Sequence, residues 1–204
     1  MALTVRQIRL TVSGVAVALQ DRVLDATKAC CERFGFAKLS VDDVAAEAGL
    51  SRATIYRLYP GGKDVLLDAL RVRELEEFFA DLRAGVAGVD SLEELLVRTV
   101  VTATRELRAD HHLAVMLAAE PGEALTQLTT AGVPRIIDYA TTFLVPFAEP
   151  YLTREQSVAL VDVLSRLTIS YFLAPSDVVD LGDPESARQF LAPLIAVLTQ
   201  GADA

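Results

Sequence analysis

The 204-residue chain is sparing with the residues that usually carry chemistry: two cysteines, two histidines and three lysines, with no lysine beyond Lys63. Cys30 and Cys31 are adjacent, so they cannot close an ordinary unstrained bridge. Two cysteines are also too few for a disulfide framework, and a reducing compartment fits. His111 and His112 would point about 100° apart on a helix, which is not the i, i+4 arrangement of a zinc pair. Asp110 and Glu120 nearby add only a weak oxygen set, and a polar helix start facing solvent is the plain reading. No Gly-x-Ser-x-Gly elbow and no glycine-rich phosphate loop is present. The chain therefore reads as a non-enzyme, with no metal and no cofactor expected. Long apolar runs are missing too. Despite 52% hydrophobic residues and a mean hydropathy of +0.35, no uncharged stretch reaches the about 18 residues that a spanning helix needs.

The formal net charge of −9 is hostile to nucleic acid on its face. It is unevenly placed. Residues 1–75 carry 11 Lys and Arg against 9 Asp and Glu, a net +2, whereas residues 76–204 carry 8 Arg against 19 acids, a net −11. Such asymmetry predicts different partners for the two parts.

Helix signals dominate and alternating strand patterns are scarce, so the fold class is all-α. Residues 1–19 read as a flexible basic arm bearing Arg6 and Arg9. Thr11, Ser13 and Gly14 break the apolar stretch that an export signal would need. The two arginines suit a minor groove or a phosphate, or simply a disordered tail. A first helix spans about 20–34, with Val23, Ala26, Thr27, Cys30, Cys31 and Phe34 as its inner stripe and Gly35 as its stop. Ser40 and Ser51 cap two short helices separated by Gly49. Pro60-Gly61-Gly62 ends the second of them, and a long helix runs from Lys63 to about residue 84. Further helices are expected from a capping box at Ser91 to about 108, over about 111–119, across 123–151 with breaks at Gly132-Val133-Pro134 and Pro146, from Thr153 to about 173, and from Pro184 to about 200.

The informative stretch is residues 40–59. Ala45 and Ala48 are small enough to let a partner helix approach, and Gly49 permits a left-handed turn. Leu50 and Ile55 anchor the turn and the second helix in the core. That second helix presents Ser51, Arg52, Thr54, Tyr56 and Arg57, all able to donate to phosphates or base edges. No acid occurs from Ser51 to Gly62, although the chain is acidic overall. Taken singly, Tyr56 and Tyr59 also suit an apolar cover and Arg57 a solvated surface. The string as a whole points to DNA.

With its spacing, the string Val23, Ala26, Gly35, Phe36, Ser40, Val44-Ala45, Ala48-Gly49-Leu50-Ser51, Thr54-Ile55-Tyr56, Tyr59, Lys63, Leu66 resembles the TetR family of bacterial transcriptional regulators. The likeness is close from Asp21 to about Leu70 and elsewhere rests on helix lengths and order. It implies an N-terminal helix-turn-helix domain (20–79, with the motif at 40–59) and a larger helical ligand-binding and dimerisation domain (80–204). The family's recognition positions fall on Ser51, Arg52, Ala53, Thr54, Tyr56 and Arg57, and its phosphate contacts on Ser40, Tyr56, Tyr59 and Lys63. Leu58 stands where a polar ring is common, so that contact is not carried over. Cys31 stands where a Phe is usual.

The acidic second part would be repelled by DNA, and its apolar surplus has two destinations. One is a ligand cavity, with Leu113, Met116, Leu117, Ile137, Tyr139, Phe143, Phe147 and Leu167 as candidates or, more plainly, as core. Few cations there means that an apolar or cationic ligand fits better than a multiply charged anion. The other is a dimer seam. The helix from Thr153 is apolar nearly all round, and Leu160, Val161, Leu164 and Tyr171 from it, with Phe190, Leu194 and Leu198 from the last helix, would form a two-fold interface. These readings predict a cytoplasmic homodimer that binds a palindromic double-stranded operator, most simply as a repressor released by a small, largely apolar effector, with no membrane partner. An enzyme is the rival class, and the missing motifs tell against it; a helical adaptor binding only protein is a third, and the recognition helix tells against that.

Overall fold

Every regular element among the described residues is an α-helix: α1 (Val5–Phe34), α2 (Val41–Ala48), α3 (Arg52–Leu58), α4 (Lys63–Gly85), α5 (Leu92–Ala109), α6 (Val133–Ala148), α7 (Arg154–Leu173) and α8 (Pro184–Gln200). The computed structural model describes residues 5–110, 113, 114, 117, 118, 122 and 132–200, with side chains from 17 to 198. His111, His112, Met116 and the segment 123–131 lie outside the described residues.

Hydroxyl caps set four of the helix starts. The oxygens of Ser40, Ser51, Ser91 and Thr153 accept the N–H of Asp43 (3.2 Å), Thr54 (3.1 Å), Glu94 (3.2 Å) and Gln156 (3.3 Å). Each such cap stabilises its helix by about 1 kcal/mol. The box closes at Ser40 and Thr153, whose own N–H groups donate to Asp43 and Gln156. No reciprocal bond forms at Ser91, where the Glu94 carboxylate pairs with Arg98 one turn on.

Three expectations change. Helix α1 begins at Val5, so residues 5–19 continue it instead of forming an arm. Thr11, Ser13 and Gly14 each cost at most about 1 kcal/mol of helix propensity, which weakens a helix without ending it. Pro146 does not break α6, which runs on to Ala148 although the proline cannot donate to the Thr142 carbonyl. Phe34 leaves the core and is 40% exposed beneath the Arg33 guanidinium. The helix stops there, Gly35 turns the chain at φ 78°, and Phe36 takes the buried position.

The chain divides into two compact units, Met1–Arg73 and Glu74–Ala204, so the boundary falls inside α4, earlier than residue 80. The first unit buries Val23, Ala26, Cys30 and Cys31 of α1, Val44, Ala45 and Ala48 of α2, Ile55 of α3 and Leu66, Leu67 and Leu70 of α4. Both thiols are buried, and burial pushes that of Cys30 up. The Arg73 guanidinium ties α4 to α1 through Asp25 at 2.8 Å.

Among the described residues of the second unit, three apolar clusters form. Leu95, Leu96 and Val100 of α5 pack with Leu160 and Leu164 of α7 and Leu191 of α8. Phe79 and Leu82 of α4 pack with Ala140, Leu144 and Val161. Leu113 packs with Ile169. The α7–α8 loop is pinned to α5, since Arg105 donates to the Gly182 carbonyl (2.8 Å) and Arg108 pairs with Asp180 (2.8 Å). The Gly182 N–H and then Arg108 hold the Asp180 carboxyl below its ordinary value. Among the described residues no helix is long and apolar enough to cross a membrane.

Candidate nucleic-acid interface

Helices α2 and α3 meet through a left-handed turn. Gly49 has φ +62° and ψ 38°, and its N–H and that of Leu50 return to carbonyls at the end of α2. An L-residue there pays about 1–2 kcal/mol in backbone strain. A Cβ on Gly49 would meet only the far end of the Arg22 side chain, at 2.7 Å, which can swing away. Gly49→Ala is therefore expected to lower the urea midpoint by that backbone cost alone, with helical content unchanged. Ile55, fully buried, fixes α3 to the core. The opposite face of α3 offers Arg52, Ala53, Tyr56 and Arg57 to solvent, with Thr54 half-buried.

Several expected contacts are already engaged inside the unit. The Ser51 and Thr54 hydroxyls lie 2.9 Å apart. Ser40 donates its hydroxyl to Asp43 Oδ2 at 2.5 Å, so a phosphate would have to displace that carboxylate. Tyr59 does not sit on the outer face. Its ring is buried, its hydroxyl donates to the Gln20 carbonyl (3.4 Å), and burial raises its pKa. Lys63 Nζ donates to the Ala37 carbonyl at 2.9 Å. An ammonium has two further N–H donors to offer. Tyr56 lies against the backbone of Gly62, where φ is +73° and a Cβ would come within 3.2 Å of Tyr56 Cε1.

The stretch from Ser51 to Gly62 has no acid in sequence but acquires one in space. Asp42 of α2 pairs with Arg52 at 3.1 Å, and Arg52 also donates to the Tyr56 hydroxyl (3.5 Å) with its guanidinium carbon 5.5 Å from the Tyr56 ring centroid. The bond to Tyr56 and the charge of Asp42 push the Arg52 pKa up, so it stays a cation. In sequence Asp42 is only a favourable first-turn charge. Its position ten residues before Arg52, across a turn of known geometry, is the signal that could have found the pair.

The ligand candidates are not gathered at one place. Tyr139 and Phe143 join Phe78 and Phe79 in an aromatic cluster, with Phe79 stacked on Phe143 at 5.7 Å and on Tyr139 at 6.3 Å. Leu113 and Leu117 belong to the Ile169 cluster. Phe147 and Leu167 pack against the α5–α7–α8 core, and Ile137 is half-buried. Phe78 and Phe79 are missing from the sequence candidates because a boundary at residue 80 assigns them to the DNA-binding domain.

The dimer candidates need correction. Leu160, Val161 and Leu164 are buried within their own chain against α5 and α6, leaving them no free face for a partner. Tyr171 packs on Phe190 with centroids 5.3 Å apart, and Leu194 and Leu198 are half-buried. Among the described residues of α7 and α8, the large apolar side chains left outside are Val158 and Val163 (44% exposed) on α7 and Val197 (70% exposed) on α8. An all-round apolar helix signals burial on several sides but not which sides its own chain supplies.

The model of the family "bacterial regulatory proteins, tetR family" matches residues 23–70, from mid-α1 into α4. The HTH-type transcriptional regulator AlkX of Mycobacterium tuberculosis is 26% identical over 189 residues, covering 91% of this chain and 85% of that protein. Among solved structures, the TetR family repressor AlkX from Dietzia sp., implicated in biodegradation of n-alkanes, aligns with a TM-score of 0.63 at 24% identity over 89% of this chain and 95% of that one. The SmeT–triclosan complex aligns with a TM-score of 0.52 at 21% identity over 86% and 91%. The AlkX relatives are regulators and not enzymes, and the two solved structures share the all-helical fold. Residues 23–70 thus match the tetR family of bacterial regulatory proteins, and the chain is similar over most of its length to an HTH-type transcriptional regulator.

Proposed function

We propose that the protein is a homodimeric cytoplasmic repressor that binds a palindromic operator through α3 and is released by a small, largely apolar ligand. The observation that carries this is the outer face of α3, where Arg52, Ala53, Tyr56 and Arg57 stand exposed on a helix fixed from behind by Ile55. Ser51, Thr54 and Lys63 complete the contact set, with Ser40 joining if Asp43 releases it. Tyr59 supports the set from the core. In a two-fold dimer the two α3 helices would lie about one turn of DNA apart, or a multiple of it, which makes the operator palindromic. The repressor role is taken by likeness to the Dietzia protein.

For the ligand, the aromatic cluster of Phe78, Phe79, Tyr139 and Phe143 and the apolar pair Leu113 and Ile169 offer apolar surface within the second unit. SmeT, which holds triclosan, is a precedent for an apolar aromatic guest on this fold. DNA and ligand then select different states of the dimer, and each lowers affinity for the other by the same factor. The test is gel retardation of the DNA upstream of the protein's own gene across a salt series. Retention of a palindromic fragment at moderate salt supports the reading. No retention above that of random DNA defeats it.

The seam in this reading uses the exposed side chains Val158, Val163 and Val197 with half-buried Leu194 and Leu198, in place of Leu160, Val161 and Leu164. Val163→Asp combined with Val197→Asp is expected to convert the dimer to monomer in sedimentation, with far-UV helicity kept and operator retention lost. A variant that remains dimeric would move the seam elsewhere.

A further inference from the structure

We propose that Asp42 is a specificity-determining residue: it holds Arg52 in one orientation toward a base edge and penalises DNA contacts made without that orientation. The inference rests on α3 being the recognition helix. An exposed arginine on a short helix samples many rotamers and binds any phosphate it reaches. Here its fork is held from two sides. Nη1 donates to Asp42 Oδ2 at 3.1 Å and Nη2 donates to the Tyr56 hydroxyl at 3.5 Å, with the guanidinium over the Tyr56 ring. Tyr56 is itself seated on the bare backbone of Gly62. Thus α2, α3 and the turn before α4 all bear on one guanidinium. Two of its five N–H donors are engaged, and three remain to reach the paired acceptors of a guanine edge.

Asp42 also adds a negative charge on the face that DNA would approach. The carboxylate repels a phosphate, so contacts that replace Asp42 by a phosphate gain less than they would beside a neutral residue. Oriented readout is spared that loss, because the Asp42–Arg52 pair stays intact in it. The pair is well exposed, with 65% of the Asp42 side chain and 59% of that of Arg52 accessible, so it contributes little to folding and its role in recognition is separable. Glu47, also on α2, pairs with Arg33 at 3.0 Å and not with α3, which makes it the matched charge control.

The test uses the full-length protein, a duplex selected by it from a randomised library, and a mixed-sequence duplex of equal length. Asp42→Ala is expected to lower the ratio of selected to mixed-sequence affinity by about tenfold, with mixed-sequence affinity unchanged or higher. It should also flatten the preference at the one base position that Arg52→Ala flattens. Glu47→Gln should leave the ratio unchanged. Asp42→Asn keeps an acceptor and the fold of the first turn, and is expected to give a smaller drop at the same position, which decides the matter if the alanine variant does not fold. A ratio that stays constant in both Asp42 variants, or a gain on both duplexes matched by Glu47→Gln, overturns the proposal by reducing Asp42 to general charge. A wild-type protein that enriches no duplex brings down the recognition-helix reading itself, a different failure from a wild type that selects while Asp42 proves neutral.

Discussion

Arg52→Ala is expected to weaken operator binding by roughly thirtyfold or more, since each good bidentate base contact is worth about 1–3 kcal/mol and a dimer makes two. The side chain is exposed, and the cap at the start of α3 belongs to Ser51, so the fold does not depend on it. Circular dichroism and sedimentation should match wild type while fluorescence anisotropy on the operator shows the loss. Tyr56→Ala should act in the same direction by a smaller factor, because it removes the hydroxyl and ring against which Arg52 rests. Collapse of helicity in both variants would instead assign these residues to structure.

Phe79→Ala is expected to be the most destabilising single change in the second unit, by about 3–5 kcal/mol for a buried phenylalanine. Phe79 is 2% exposed and touches three aromatic rings, edge-on to Phe78 and stacked on Tyr139 and Phe143. Little around it can move in, because Ala103 and Ala140 are small and Leu82, Leu144 and Val145 are themselves buried. A thermal melt should show a drop on the order of 10 °C or more for a unit of this size. An apolar compound that fills the cavity should restore part of it. A loss below about 1 kcal/mol would mean that the ring is not packed as described.

Much of the fold could be read in advance because its boundaries are local chemistry. Ser40, Ser51, Ser91 and Thr153 cap the helices they precede, Gly49 takes the left-handed turn, and Pro184 opens α8. These signals act within four residues of their own position, so a sequence window contains them. The misreadings share the opposite property. Whether Leu160 faces a partner or its own core depends on α5, some sixty residues away in sequence. Tyr59 looks like a surface phenol until Gln20, thirty-nine positions earlier, receives its hydroxyl. Asp42 is a helix-start charge until the turn at Gly49 folds it onto Arg52. The start of α1 failed for another reason: weak breakers lower helix propensity gradually, whereas an end needs a cap or a proline.

The measurement closest to the central claim is the salt dependence of binding to a palindromic duplex drawn from the DNA upstream of the protein's own gene, read by anisotropy with the protein's stoichiometry recorded. The account predicts two chains per duplex, or a multiple of two, a linear fall of log K with log salt, and tighter binding to the palindrome than to a scrambled duplex at every salt concentration. Equal affinity for the palindrome and its scrambled form, or no salt-sensitive binding to either, would contradict it.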